Sequence, residues 1–352
     1  MSFKAMTLKA RLLIFGILLA VLPLLINLLI VLYQNNKMST TAGEESQALA
    51  YAQLDLTIDA VYDICQSQRE LVQMIVDSSL KVAHDVLARE GQVKLSDNET
   101  VAWNAVNQFT RQAVPVNLPK VFAGETWLGQ NQSLSEPSPV VDKVRELVGG
   151  TCTVFQRMND KGDMLRVCTN VETSDKIRAV GTYIPVLEPD GRSNPVIAQV
   201  LKGEVFRGRV YAVNAWYVTA YEPLYDGARN IVGMLCFGVR EGNLASLRQE
   251  IINIKIGKTG YVFIIDPQGK YIISKDGKHD GESVWDTQDM EGKYPVQEIV
   301  KKALTLQPGD IATHRFLWKN PGEEMARMKF AKIMYFKPWD WIICGGSYED
   351  EF

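Results

Sequence analysis

The sequence predicts an α+β protein with an N-terminal transmembrane helix, a long second helix, and two tandem modules built on antiparallel sheets. Three observations lead to this prediction: an uncharged apolar run near the N-terminus, a long heptad-like pattern, and two β-rich segments that resemble each other. The composition is that of a folded protein, since 46% of the 352 residues are hydrophobic and 22% are charged. A chain of this length has room for two domains of ordinary size.

The first observation is the run of residues 12–33, which contains no charged side chain and is almost wholly apolar. At ~1.5 Å per residue, a helix of this length spans about 33 Å, enough to cross a bilayer core of about 30 Å. Lys4, Lys9 and Arg11 precede the run, so the positive-inside rule places residues 1–11 in the cytoplasm. The sequence therefore predicts one anchor in the inner membrane, with the bulk of the chain outside the cytoplasm. A cleaved signal peptide is the alternative, although its apolar region is usually only about 7–15 residues long.

The second observation concerns residues 36–91, which predict one long helix because they contain no proline and end at Gly91. Mostly apolar positions recur there at alternating spacings of four and three, which is typical of a seam between helices. The seam positions are Leu54, Ile58, Val61, Cys65, Gln68, Val72, Ile75, Ser79, Val82 and Val86. We interpret this helix as a stalk that pairs with a second copy of the chain in a homodimer. The alternative is an ordinary helix packed within its own domain.

The third observation is a pair of β-rich segments with the same order of features. Each opens with two strand-like runs around a turn, at residues 159–162 in the first and 266–269 in the second. Each closes with a tyrosine, a proline and an aspartate before a final apolar strand. This order predicts two α+β modules in tandem, over residues 92–250 and 251–352.

Over residues 40–350 the layout resembles the Cache 3/Cache 2 fusion sensor domains of methyl-accepting chemotaxis proteins. The resemblance rests on NDKGDMLRVCTNV, VLKGEVFRG and IVGMLCFGV in the first module, and on GYVFIIDPQGKYIIS and YFKPWDWIICGG in the second. It implies two PAS-like modules that bind small molecules outside the cytoplasm, with residues 92–250 distal to the membrane and residues 251–352 proximal. The double-Cache signature for amino acids is not matched, because Asn214 precedes the Trp216-Tyr217 pair where that signature has an arginine.

The first module combines aromatic and cationic residues in a way that predicts a pocket for a small organic anion. Ligand pockets are mostly apolar with a few convergent polar groups, and an arginine facing an aromatic wall suits a carboxylate. Alternation along the predicted strand places Tyr217, Thr219 and Tyr221 on one face of the sheet and Trp216 on the other. The candidate ligand-binding residues are Arg157, Arg166, Arg178, Tyr183, Tyr211, Trp216, Tyr217, Thr219 and Tyr221. The alternative is that these aromatic residues are core and these arginines lie in solvent.

Cys152 and Cys168 flank the first predicted turn, so they would lie on neighbouring strands, directly opposite or diagonal. They form either a disulfide or two buried free thiols. No metal site and no cofactor are predicted, because the sequence has neither a C-x-x-C pair nor an H-E-x-x-H motif. The net charge of −3 argues against a nucleic-acid partner.

The expected function is small-molecule sensing by a membrane chemoreceptor, with transmission of ligand binding across the membrane for chemotaxis. We do not expect an enzyme, since no nucleophile–base pair or phosphate loop is visible. Two alternatives stay open. One is the input domain of a sensor histidine kinase or diguanylate cyclase, and the other is a membrane-anchored assembly or partner-binding protein without a small ligand.

Overall fold

The computed structural model describes residues 8–241, 245–319 and 325–351. The helices in these ranges are α1 (Leu8–Glu90), α2 (Val141–Val148), α3 (Pro195–Val200), α4 (Ala245–Ile252) and α5 (Pro295–Ala303). The strands of the first sheet are β1 (Val93–Asn107), β2 (Ala113–Ala123), β3 (Thr126–Trp127), β4 (Thr151–Arg157), β5 (Met164–Thr169), β6 (Thr182–Ile184), β7 (Phe206–Ala212), β8 (Ala215–Tyr225) and β9 (Ile231–Arg240). Those of the second sheet are β10 (Lys255–Ile256), β11 (Gly260–Ile265), β12 (Tyr271–Ile273), β13 (Ala312–Trp318), β14 (Arg327–Phe336) and β15 (Trp341–Tyr348).

The chain divides into two compact units, each built around one sheet. The first unit comprises residues 63–250, and the second comprises the described residues up to 62 and from 251 onward. The first sheet has the order β3-β2-β1-β6-β5-β4-β9-β8-β7, in which only the short β1–β6 pair is parallel. The second has the order β10-β11-β15-β14-β13, with β12 also paired to β11.

The same five-strand arrangement occurs in both sheets. It reads β5-β4-β9-β8-β7 in the first unit and β12-β11-β15-β14-β13 in the second. In each case the opening hairpin comes first along the chain, a helix follows, and the last three strands return to pair beside the opening strand. The predicted α+β class with tandem antiparallel modules is therefore confirmed.

Helix α1 is 83 residues long and includes Pro23. It contains the whole of the predicted anchor, residues 12–33, but the side chains of residues 8–15 and 17–20 lie outside the described part of the chain. Across the residues that the structure does describe, no helix has an apolar stretch sufficient to cross a membrane.

In the first unit, one face of α1 packs directly onto the sheet. Val76, Leu80, Ala83 and Leu87 are buried there in one core with side chains of β4, β5, β8 and β9. In the second unit α1 also packs closely against the sheet. Gly345 of β15 lies so near Ile58 of α1 that a Cβ atom added to this glycine would be 2.7 Å from Ile58 Cδ1.

One face of α1 is buried within its own chain. Between Leu54 and Leu87 that face meets the sheets of the two units, and pairing of the helix with a second copy stays a prediction. Most positions of the predicted seam are buried, but the register drifts, because a straight α-helix has 3.6 residues per turn rather than the 3.5 of a heptad pattern. Ile75, which the seam includes, is 46% exposed, while Val76 beside it is fully buried.

A pair of adjacent substitutions tests this register. Val76→Ala should lower the free energy of unfolding by about 2 kcal/mol, because it leaves a cavity between α1 and the sheet. Ile75→Ala should change it by less than about 0.5 kcal/mol, since this side chain lies largely in solvent. Denaturant unfolding of the full chain in detergent, followed by near-ultraviolet circular dichroism, measures both. A larger loss for Ile75→Ala would favour the heptad register instead.

Candidate ligand-binding site

The two faces of the first sheet carry different contacts. Along β4, Val154 belongs to the core against α1, whereas Phe155 points to the opposite face. Along β8, Ala220 and Tyr221 divide in the same way. Since successive residues of a strand alternate between faces, each strand contacts α1 on one side and contributes to a separate space on the other.

A narrow cavity of about 10 Å³, which we call the closed cavity because it is too small for an organic ligand, lies on the face opposite α1. Its lining residues are Thr151, Thr153, Phe155, Arg166, Val171, Ala212, Tyr217, Thr219, Tyr221 and Cys236. This volume is enough for about one water molecule. The described conformation is therefore closed, and an organic ligand requires the walls to move apart.

Arg166 on β5 provides the charge of this cavity and is only 1% exposed. Its Nη1 donates to Thr182 Oγ1 at 2.8 Å, its Nη2 donates to Gln108 Oε1 at 2.9 Å, and its guanidinium lies 5.0 Å from the ring centroid of Phe155. Every partner of Arg166 within the described residues is thus uncharged. Burial lowers the pKa of the guanidinium, but an arginine starts high enough to stay protonated at neutral pH.

A β-bulge aims Arg166 into the cavity. Val154 pairs with Cys168 and Phe155 pairs with Arg166, so Val167 is an extra residue on β5. Val167 and Cys168 both join the core against α1, while Arg166 follows Phe155 to the other face. Without the extra residue, Arg166 and Cys168 would share a face, and the cation would point into the apolar core.

Two tyrosines place neutral hydroxyl groups beside the arginine. Burial raises the pKa of Tyr221 well above its usual value, and it raises the pKa of Tyr217 as well. Both phenols therefore stay protonated and can donate hydrogen bonds. The Tyr221 ring lies 6.0 Å from the rings of both Phe155 and Phe206, which fixes its position.

Val171 of the cavity lining belongs to a small apolar cluster with Ala179 and Val213, separate from the larger cores, and we call this cluster the roof. Two roof-loop residues have a left-handed backbone: Lys176 at φ 55° and Val213 at φ 59°. This conformation is unfavourable for a β-branched residue such as Val213. The roof therefore combines a small apolar cluster with local backbone strain.

Four of the nine predicted ligand-binding residues line this one cavity. They are Arg166, Tyr217, Thr219 and Tyr221. The alternation along β8 places the last three on one face, as the sequence predicts. The hydroxyl of Thr219 donates to Gly208 O at 2.9 Å, so its hydrogen is engaged with the neighbouring strand.

Arg178 has a structural position rather than one in the cavity. Its guanidinium makes a bidentate pair with Asp142, at 2.9 and 2.7 Å, and also donates to the carbonyl oxygens of Ser133, Glu136 and Thr169. Arg178 therefore lies outside this cavity, where Asp142 neutralises its charge and its donors hold the loop before α2.

The other four predicted residues also lie outside the cavity. Arg157 donates to Asn159 O and Asp160 O, which closes the β4–β5 turn. Tyr183 packs against the core on the α1 side. Tyr211 and Trp216 stack edge to face at 5.4 Å, and each is 42% exposed. These residues occupy the turn, the opposite face and the outer edge of the sheet.

Sequence reasoning missed Gln108, which orients Arg166, and six residues of the lining. The six are Thr151, Thr153, Phe155, Val171, Ala212 and Cys236. Alternation along β4 and β9 could have identified Phe155 and Cys236 once Arg166 was placed inside. The sequence pattern could not have identified Gln108, because its side chain reaches Arg166 from the turn after β1, 58 residues before Arg166 in the chain.

The five cysteines are all buried free thiols. Cys168 lies opposite Val154, and the backbone of Cys152 bonds to Asn170 Oδ1, so the two thiols are diagonal. Diagonal neighbours are about 7–8 Å apart, farther than a disulfide normally spans. Burial raises the pKa of Cys168 to about 11 and that of Cys236 to about 12. The sequence left a disulfide or two free thiols as alternatives for Cys152 and Cys168, and the structure has two buried free thiols.

The corresponding face of the second sheet has a packed apolar core instead. Helix α5 contributes Val296, Ile299 and Val300, which pack with Phe263 and Ile333 of the sheet. This face of the second unit also holds a buried cation, since Lys329 on β14 is 2% exposed and lies 4.2 Å from the ring centroid of Tyr261.

The repeated five-strand order, with a long helix on one face of the sheet and a small cavity around a buried cation on the other, is the arrangement of a small-molecule sensor domain. The chain belongs to the Cache 3/Cache 2 fusion domain family, whose model matches residues 39–352. This match confirms the resemblance identified from the sequence motifs. Domains of this kind bind small ligands and are themselves non-catalytic modules of chemoreceptors.

Solved structures of chemoreceptor domains are also similar to the chain. A Cache chemosensory domain described for carboxylic acid recognition is 22% identical, with 31% of this chain and 72% of that chain covered and a TM-score of 0.28. A methyl-accepting chemotaxis protein from Vibrio parahaemolyticus is 20% identical, with 31% and 72% covered and a TM-score of 0.28. The ligand-binding domain of the Campylobacter jejuni chemoreceptor Tlp3 is 11% identical, with 86% and 92% covered and a TM-score of 0.42. No curated protein matches the chain.

Titration of the thiols tests the cysteine assignment. The native protein should react with less than one equivalent of Ellman's reagent per chain at pH 8, because burial blocks access and disfavours the thiolate. Unfolding in guanidinium without reductant should release all five thiols. A count of three would contradict the structure and indicate a Cys152–Cys168 disulfide.

The raised thiol pKa values also predict a loss of stability at alkaline pH. The folded state holds these protons more tightly than the unfolded state, whose thiols titrate near the ordinary value of 9.0. This contribution is complete below pH 9 and falls as pH rises toward about 11. Unfolding free energies measured between pH 8 and 10.5 should decline, and Cys168→Ser should flatten the decline. An unchanged slope in that variant would exclude Cys168 as a source.

Proposed function

We propose that the first unit senses a small organic anion outside the cytoplasm for a membrane chemoreceptor. The observation that supports this proposal is Arg166, a fully buried cation whose partners in the described chain are all neutral. Removing a charge from water costs several kcal/mol unless an opposite charge compensates it. An anionic ligand would supply the missing negative charge, so the closed cavity is suited to a ligand with a carboxylate or a similar group.

A carboxylate fits the groups that surround Arg166. The planar guanidinium can donate two parallel hydrogen bonds to two carboxylate oxygens. The hydroxyl groups of Tyr217 and Tyr221 are neutral donors on the adjacent wall, and Phe155 and Val171 offer apolar surface for a short carbon chain. Such a pocket combines few polar groups with apolar walls, as small-ligand sites do.

The same strands provide a route for the signal. Phe155, Arg166 and Tyr221 line the cavity, while Val154 and Val167, on the other face of the same strands, pack in the core with α1. A ligand that separates the cavity walls would move these strands against the helix. The ligand would shift the helix only if it binds the open arrangement of the strands more tightly than the closed one.

The membrane anchor and the homodimer are parts of the same proposal. The anchor, residues 12–33, is supported by its lack of charge and by the basic residues before it. The first unit would be distal to the membrane and the second unit proximal. A homodimer through α1 is supported by large apolar side chains that remain exposed on it. These include Leu49, Leu56, Leu71 and Met74. An input domain for a sensor histidine kinase or diguanylate cyclase would use the same ectodomain, whereas an assembly protein would bind no small anion.

Substitution of the buried arginine tests the proposal. A carboxylate that raises the melting temperature of the full chain in detergent should lose that effect in Arg166→Met. The expected loss of affinity is at least about 30-fold, because truncating one partner of a buried charge pair costs about 2 kcal/mol or more.

Arg157→Met is the matched control, since this arginine lies in the β4–β5 turn outside the cavity. It should keep wild-type affinity. The unliganded Arg166→Met protein should remain folded, because the substitution removes a charge that has no counter-ion. Full binding by folded Arg166→Met, or equal losses in both variants, would disprove the proposed site.

A further inference from the structure

A second space adjoins the closed cavity. It is an open hollow of about 450 Å³, which we call the vestibule. Its lining residues are Arg145, Gly150, Thr151, Asn170, Glu172, Thr173, Ser174, Lys176, Asn214, Tyr217 and Arg240. Thr151 and Tyr217 line both spaces. A movement of Tyr217 would therefore join the vestibule to the cavity.

The vestibule has an excess of positive charge. Of its three cationic side chains, Arg145 pairs with Glu172 at 3.4 Å, which is the single acidic residue of the lining. Lys176 and Arg240 form no ion pair with any carboxylate in the described ranges. The Tyr217 phenol lies within electrostatic reach of both Arg240 and Arg166, since each guanidinium acts to lower its pKa. The Tyr217 ring thus lies near two cations, the buried Arg166 of the cavity and Arg240 of the open vestibule.

The closed cavity also excludes one kind of ligand group. None of its lining residues is acidic. An ammonium group placed there would lose its hydration without gaining a counter-ion, and it would lie near the positive Arg166. An amino acid therefore fits the buried end poorly, whereas a carboxylate fits it well.

From this arrangement we infer that the ligand is a short dicarboxylate, with one carboxylate on Arg166 in the cavity and the other on Arg240 in the vestibule. This inference rests on the proposed function and specifies its ligand class. The buried carboxylate provides most of the affinity, because its charge pair is shielded from water. The outer carboxylate distinguishes a dianion from a monoanion of the same size.

Calorimetric titration of the full chain in detergent tests the inference with ligands that differ in one terminal group. Malonate, succinate, glutarate and adipate establish the best chain length. If that length is four carbons, succinate is compared with butyrate, which ends in methyl, and with 4-aminobutyrate, which ends in ammonium. The dicarboxylate should bind at least about tenfold more tightly than butyrate, and 4-aminobutyrate should bind most weakly.

Arg240→Met should lower the affinity for the dicarboxylate about tenfold and change that for butyrate less than twofold. Arg157→Met, an arginine outside both spaces, should leave both affinities unchanged. Butyrate binding as tight as succinate, with no selective effect of Arg240→Met, would overturn the dicarboxylate assignment and leave the anion sensor intact. Binding of no carboxylate by a folded sample would overturn the proposed function with it.

Discussion

The first unit depends on one physical constraint, the burial of the Arg166 cation without a counter-ion of its own chain. Gln108 and Thr182 satisfy some of its donors, and the Phe155 ring contacts its guanidinium. None of these neutral groups replaces the lost hydration of a full charge. The unit tolerates this cost because the surrounding cores are extensive, and in our proposal a bound anion would remove it. Lower stability of the unliganded unit would then accompany higher affinity for the ligand, as is common at functional sites.

The two units show how one strand order produces different interiors. In the second unit, the nine-residue helix α5 lays an apolar face across the sheet and joins one continuous core. In the first unit, α3 has only six residues and covers part of the corresponding face, next to Tyr221 and Met234. The remainder is closed by the strained roof of Val171, Ala179 and Val213. The cavity therefore exists where a short helix leaves the sheet to be covered by loops.

The sequence predicts the architecture well because the two modules repeat the same turns and closing strands. It also places Tyr217, Thr219 and Tyr221 on one face, since alternation along a strand needs no tertiary information. Beyond Cys65 the register of α1 is predicted only in part: Val72, Ser79 and Val86 are buried, whereas Ile75 is exposed, because small differences between 3.5 and 3.6 residues per turn accumulate over a long helix. Arg157, Arg166 and Arg178 look equivalent in sequence. A bulge at Val167 and a carboxylate 36 residues from Arg178 separate their roles, and neither is visible in a local pattern.

A crystal structure of the full chain with its tightest-binding carboxylate tests the central claim most directly. We expect an opened cavity in which two carboxylate oxygens lie about 2.7–2.9 Å from the guanidinium nitrogens of Arg166. A closed cavity with the ligand bound elsewhere would contradict it. So would an Arg166 that is paired with a carboxylate of its own chain, because the charge would then need no ligand.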